Sequence, residues 1–231
     1  MKQGWSCSTL VLERTVYAKS YLAYVSTVFW GYLKMNELCV VGIGGVWFGV
    51  AYADQRVFAS SFASTEEKAL RSLLDSVPFN APFQMVSSGS VFADKVVKLM
   101  NEIYEGKDVA RTVPLATERF PTYTQKVLWT VASIPVGYVA SYGGVAEAIG
   151  GGARAVGNVM ATNCFAPLVP CHRVVASDFG LGGYGGGLEL KKAFLVREKR
   201  GFTKAREIPV EGGKLKVFPV ECVLRCSEEK A

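Results

Sequence analysis

Between Leu38 and Phe62 the chain is dense in Val, Ile, Phe and Tyr and is broken by Gly42, Gly44, Gly45 and the pair Asp54-Gln55. Short apolar runs bounded by turn residues read as consecutive strands joined by tight turns. Beyond Phe62 the pattern is mostly helical. Ser64-x-x-Glu67 reads as a capping box ahead of Leu70, Leu73, Leu74 and Val77, and Pro78 and Pro82 stop that helix. A second helix places Phe92, Val96, Leu99, Met100, Ile103 and Tyr104 on one face and ends near Gly106. These elements predict a small α/β domain over 35–112 that carries no chemistry of its own.

The stretch from Arg111 to Pro121 reads as a linker. Beyond it, Thr122 or Thr124 caps a helix bearing Val127, Leu128 and Val131, which Pro135 ends. Ser141 caps a short helix with Val145, Ala146 and Ile149. Gly150-Gly151-Gly152 turns the chain into another helix, from about Ala153 to Thr162. Helix, glycine turn, helix is the outline of a helix-turn-helix, although generic αα-hairpins share it. The second helix is lined by Ala153, Ala155, Gly157 and Ala161. Such a stripe suits either close approach to another molecule or tight packing on a neighbouring helix.

The two ends read differently. Residues 1–34 place Lys2, Arg14 and Lys19 before an apolar stretch from Tyr21 to Leu33. The positive region is long and interrupted for a signal peptide, and the stretch is short for a membrane span. The expectation is an extension of uncertain order, with function needing only residues from about Met35. The tail, 207–231, carries a Gly212-Gly213 turn between two β-like runs and suggests an appended hairpin. No run approaches 18 apolar residues, and with half the residues hydrophobic and a fifth charged the chain is not a disordered one.

The net charge of +6 is concentrated at Lys191, Lys192, Arg197, Lys199, Arg200, Lys204 and Arg206, with Glu198 the acid among them. This is either a solvated helix face or an electrostatic footprint for phosphates. Six cysteines stand without regular spacing, and a core of this size needs no staples. The pair Cys222 and Cys226 leaves a local disulfide open. Zinc would need further ligands, and the one histidine lies elsewhere, so no metal is expected.

That histidine forms the strongest local signal, Val169-Pro170-Cys171-His172-Arg173-Val174-Val175. A thiol attacks as thiolate, and its ordinary pKa near 8.5 demands a neighbouring base or positive field. His172 suits that role, yet on an extended segment it would point away from Cys171, so a bridging water is expected. Papain-like catalysis takes its histidine from a distant segment, and no second histidine exists. Gly180-x-Gly182-x-x-Gly185 matches a dinucleotide fingerprint, but the helix starts only after Gly187. A glycine-rich hairpin, or wing, beside the cysteine is the preferred reading.

Pro-Cys-His-Arg-Val at 170–174, with Ser141-Tyr142, Arg154-Ala155-Val156-Gly157, Gly183-Tyr184 and Gly186-Gly187-Leu188 in order around it, resembles the O6-alkylguanine-DNA alkyltransferase family. The resemblance covers about 120–200 closely and 38–112 loosely. It implies an α+β fold, with the small α/β N-terminal domain followed over 113–206 by a helical, winged helix-turn-helix-like alkyltransferase domain. It also implies direct repair without a cofactor: irreversible, stoichiometric transfer of the alkyl group from O6-alkylguanine, and from O4-alkylthymine, to Cys171. His172 would act as base through a water, oriented by Glu198, and Tyr142 would assist base flipping and protonate the leaving guanine. Arg154 would fill the gap left by the flipped base. Ser141, Tyr142, Ala153, Ala155 and Gly157 would meet double-stranded DNA through the minor groove.

The same resemblance implies further pocket residues. Val174, through its backbone, Met160, Asn163, Tyr184 and Gly185 would line the substrate pocket. The implied protein is a monomer without membrane contact, placed in the cytoplasm, or in the nucleus if eukaryotic. Two departures concern the pocket. Gly185 stands where many relatives have serine, and Cys164-Phe165-Ala166-Pro167 replaces a more proline-rich wall, with Ala166 expected to leave more room for the alkyl group. The alternative is a lesion-binding alkyltransferase-like protein without chemistry, against which Cys171 argues.

Overall fold

The computed structural model describes residues 36–77, 82–86, 90–109 and 113–228. The extension 1–34 and the start at Met35 lie outside the described residues. Strands β1 (Asn36–Ile43), β2 (Val46–Ala53) and β3 (Arg56–Ala63) form an antiparallel meander. Both turns place two successive residues at positive φ, Gly44-Gly45 and Asp54-Gln55. That geometry matches the twist of paired strands in two-residue hairpins. Helix α1 (Glu66–Ser76) comes next, capped by the Thr65 side chain, which accepts from the Lys68 amide at 3.4 Å. The expected cap, Ser64, is displaced by one residue because β3 runs on to Ala63; Glu66 and Glu67 then favour the helix N-terminus by charge. Strand β4 (Phe83–Met85) joins β1 in parallel, and α2 (Val91–Tyr104) is capped by Ser90.

The two faces of this sheet have different partners. Leu73 of α1 lies over Gly49, and Ser61 donates to the Ala69 carbonyl, so α1 covers one face. Phe48 meets Tyr104 of α2, and its cross-strand partner Phe62 meets Phe194, so the other face looks towards the rest of the molecule. Burial on both faces explains why these strands read as apolar runs rather than clean alternations.

The expected linker is partly strand-like. Val57 donates to the Pro114 carbonyl at 2.9 Å and accepts from Ala116, while Leu115 is buried. After a 3₁₀ turn (Thr117–Arg119) comes α3 (Thr122–Ala132), whose N-cap is Pro121 rather than either threonine. Strand β5 (Tyr138–Ser141), α4 (Tyr142–Ile149) and α5 (Ala153–Ala161) lead to a second 3₁₀ turn (Cys171–Arg173), β6 (Val174–Val175) and α6 (Leu188–Arg197).

The tail is built into this half of the molecule. Strands β7 (Arg206–Val210) and β8 (Gly213–Pro219) form a hairpin, and α7 (Glu221–Glu228) completes it. Strand β8 pairs with β5, giving the sheet order β6-β5-β8-β7. Cys222 and Cys226 lie on α7 as free thiols.

Candidate active site

Pro170 turns the chain tightly: Cys171 donates to the Val169 carbonyl at 2.8 Å, and Arg173 to that of Pro170 at 2.9 Å. The segment 171–173 is therefore a 3₁₀ turn, not the extended run expected, and it parts the Cys171 side chain from those of His172 and Arg173. Cys171 lines a cavity of about 250 Å³. His172 and Arg173 point into the core, both buried.

Glu198, the C-cap residue of α6, meets them there. Its Oε1 lies 2.8 Å from His172 Nε2, and Arg173 donates to both carboxylate oxygens at 2.7 to 3.0 Å. The same guanidinium donates to the Ile134 carbonyl at 2.6 Å. Burial alone would raise the Glu198 carboxyl. The charges and hydrogen bonds of His172 and Arg173 outweigh it and hold the pKa down at about 2. Phe194 stacks on the imidazole at 4.4 Å between ring centroids. The expected His172–Glu198 contact is present. Arg173 is a site residue that sequence reasoning missed, although a charged residue within the apolar run 168–175 was a signal for a buried ion pair.

The cavity is walled by Tyr142, Gly157, Met160, Ala161, Cys171, Gly183, Tyr184 and Gly185. Burial pushes the Cys171 thiol up, against the pull of the Asn163 side chain, the Lys191 charge and the Tyr184 hydroxyl. Raised above its ordinary value, it rests as a thiol at neutral pH, and a thiol is a poor nucleophile until a base takes its proton. Asn163 ties the approaching chain together, donating to the Val169 carbonyl and accepting from the Phe165 amide, both at 3.0 Å.

Lys191 overturns one expectation. Instead of joining a phosphate footprint it is fully buried, donating to the carbonyls of Leu181 (2.5 Å), Val174 (2.7 Å) and Gly183 (3.4 Å). Burial lowers its pKa to about 8, so the ammonium still predominates at pH 7. The backbone of Val174, expected to line the substrate pocket, thus has its carbonyl engaged by a cation. Other members of the basic segment are also structural: Arg197 lies over Tyr104, Arg206 over Tyr138, and Arg200 donates to the Arg197, Lys199 and Gly106 carbonyls. Lys191 alone leaves the surface; Lys192, Arg197, Lys199, Arg200, Lys204 and Arg206 are exposed.

The glycine-rich segment from Gly180 to Gly187 forms an open loop without strands, held by the Lys191 ammonium in place of a hairpin ladder. Gly185 stands at the cavity with open space where a Cβ would project. Ala166 is absent from the cavity wall, and its carbonyl accepts from Ser60 on β3. The expectation that Ala166 enlarges the pocket is therefore corrected.

Beside the cavity, the Ser141 hydroxyl caps α4 by accepting from the Gly144 amide at 2.9 Å. Tyr142 opens that helix and donates to the Gly183 carbonyl at 3.4 Å. Gly150 and Gly151, both at positive φ, turn into α5, and Tyr123 packs so closely on Gly151 that a side chain there would clash. Helix α5 buries Val156, Val159 and Met160. Its other side presents Ala153, Arg154 and Ala161 to solvent, with Ala155 and Gly157 half-buried and open space where a Cβ on Gly157 would project. The small-residue stripe is open, so it does not serve packing on a neighbouring helix. Among the described residues no His/Cys/Asp/Glu group could hold a metal ion, and no helix is long and apolar enough to cross a membrane.

Comparison with known proteins converges on these elements. A family model for the DNA-binding domain of 6-O-methylguanine DNA methyltransferase matches residues 122–200. A methylated-DNA–protein-cysteine methyltransferase of Pyrobaculum aerophilum is 51% identical over 73 residues, 32% of this chain and 49% of that protein. One from Saccharolobus solfataricus is 37% identical over 95 residues, 41% of this chain and 62% of its own length. These matches span about half the length of the curated relatives. Structural likeness reaches further. The O6-methylguanine-DNA methyltransferase of Pyrococcus kodakaraensis superimposes with a TM-score of 0.56 at 31% identity, over 71% of this chain and 99% of that one. Mycobacterium tuberculosis OGT in complex with DNA gives a TM-score of 0.57 at 26% identity, over 71% and 92%. With nearly the whole of a 31%-identical structure matched, the chain belongs to the O6-methylguanine-DNA methyltransferase family.

Proposed function

We propose that this protein repairs O6-alkylguanine in duplex DNA by taking the alkyl group onto Cys171, once per molecule. The observation that carries the reading is the buried Cys171 thiol facing a cavity, with His172 next to it in the chain bonded to Glu198, whose carboxylate Arg173 clamps. The thiol proton passes through a water to His172. The sulfur lone pair attacks the alkyl carbon in line, a C–S bond forms, and the C–O6 pair returns to guanine. Tyr142, at the cavity wall, gives the leaving base a proton and is reprotonated through solvent, which takes up the proton held by His172. A thioether does not hydrolyse, so the protein is spent. The same chemistry extends to O4-alkylthymine, whose alkyl group is attached through an equivalent oxygen.

The lesion lies inside the base stack, and extruding it costs a few kcal/mol. The open face of α5 answers that need. Its small residues let the helix enter the minor groove, and the exposed Arg154 fills the space the base vacates. Arg154→Ala should therefore slow repair of duplex DNA by about tenfold or more, roughly the 1–2 kcal/mol of one charge-assisted contact. Reaction with free O6-benzylguanine should change much less. Equal losses on both substrates would remove Arg154 from the extrusion step.

Duplex DNA with one O6-methylguanine, supplied in excess, tests the function. Lesion loss should stop at one per protein molecule, and Cys171→Ala should repair none while still binding. Continued turnover, or repair by the variant, contradicts the reading. Binding without repair by the wild type favours the alternative, a lesion-binding protein without chemistry.

A further inference from the structure

The family model ends at residue 200, yet the tail touches the catalytic elements at several points. Val220 and Val223 complete a small core with Val139, Val175 and Leu195, which belong to β5, β6 and α6. At the far end of α7, Cys226 donates to the Asp178 carbonyl at 3.5 Å, in the loop that leads from β6 to the cavity glycines. At the near end, one oxygen of Glu221, Oε1, accepts from the amides of Arg200 (3.2 Å) and Gly201 (2.6 Å).

Those amides lie in the turn directly after Glu198. A helix end leaves backbone groups without partners inside the helix, and the chain beyond it frays unless something holds it. Glu198 is the C-cap of α6, so its carboxylate is only as well placed as that turn. The Arg200 side chain grips the turn from one side, donating to the Arg197 and Lys199 carbonyls and reaching Gly106 beyond α2. Glu221 grips it from the other.

We propose that Glu221 is a positioning residue for alkyl transfer: its carboxylate fixes the turn after Glu198 and thereby the Glu198–His172 pair. The inference rests on alkyl transfer to Cys171 being the function. The C-terminal helix is then part of the catalytic apparatus, acting through Glu198 and touching no substrate.

Full-length wild type, Glu221→Ala and Glu221→Gln are compared on duplex DNA with one O6-methylguanine, under single-turnover conditions. Three quantities are read: the rate at saturating DNA, the half-saturating DNA concentration, and the final fraction of molecules alkylated. Glu221→Ala should lower the saturating rate about tenfold, since sub-ångström misplacement of a catalytic group has effects of that order. Half-saturation and final fraction should match the wild type. Glu221→Gln, whose amide oxygen still accepts both N–H groups, should recover most of the rate. The inference is overturned by a wild-type rate in Glu221→Ala, by equal losses in both variants, or by a reduced final fraction whose reacting molecules keep the wild-type rate. If wild type itself transfers nothing, the functional reading falls and takes this inference with it.

Discussion

Glu198→Gln is expected to cost about 3–5 kcal/mol of folding stability and to slow alkyl transfer by a factor of about 10² or more. Both effects come from one carboxylate. It is buried with two Arg173 nitrogens and the His172 ring nitrogen on it, so a neutral amide leaves the guanidinium charge unmatched in the core. The amide also presents N–H to groups that are themselves donors, and the imidazole loses the partner that fixes its orientation. Urea denaturation measures the first loss and single-turnover repair the second. Acid titration supplies a further check. The folded pKa of about 2 lies below the ordinary 4.5, so the stabilisation is fully present above about pH 5 and is lost as pH falls towards 2. The difference amounts to roughly 3 kcal/mol. Glu198→Gln should be insensitive to pH across that window, apart from what other carboxylates contribute to both proteins.

Lys191→Met should produce the second large effect, of a different kind. Methionine fills nearly the same volume without the ammonium, so packing is retained and the cost of burying a charge disappears. What is lost is the anchor of the cavity loop: the carbonyls of Leu181, Val174 and Gly183 no longer converge on a donor. An unsatisfied buried carbonyl costs about 1–3 kcal/mol, and a glycine-rich loop moves rather than accept it. The positive charge that pulls the Cys171 pKa down goes as well. Transfer should fall at least about tenfold while melting temperature changes far less, the reverse of a packing defect. The pH signature is also distinct. Lys191 has a folded pKa of about 8 against an ordinary 10.5, so the folded state holds fewer protons in between. Wild-type stability relative to Lys191→Met should therefore rise from pH 8 to 10.5. A variant that repairs at the wild-type rate would assign the ammonium to stability alone.

What was legible in the sequence was whatever local chemistry dictates. The turn pairs Gly44-Gly45 and Asp54-Gln55 mark the β1–β3 meander because two residues at positive φ are needed there. Ser141 marks the start of α4, and the Gly150–Gly152 run marks the turn into α5, for similar reasons. The Cys171-His172 step and the distant Glu198 were recognisable through the motif and its resemblance. What escaped were the ways distant segments share groups. Lys191 and Arg173 look like ordinary basic residues until tertiary structure supplies acceptors 2.5 to 3.4 Å away. The 3₁₀ turn at Cys171 was missed because Pro170 fits an extended chain as well as a tight turn. The tail read as an appendage because strand pairing between β8 and β5 leaves no mark in either segment alone.

The central claim is that Cys171 itself receives the alkyl group. Intact-mass analysis after incubation with O6-methylguanine duplex DNA, with mapping of the modified peptide, tests it most directly. The account predicts a gain of one methyl group on every active molecule, found on Cys171 and absent from the other five cysteines, Cys7, Cys39, Cys164, Cys222 and Cys226. An unmodified protein after the lesion has been repaired, or a methyl group carried on any other residue, would contradict it.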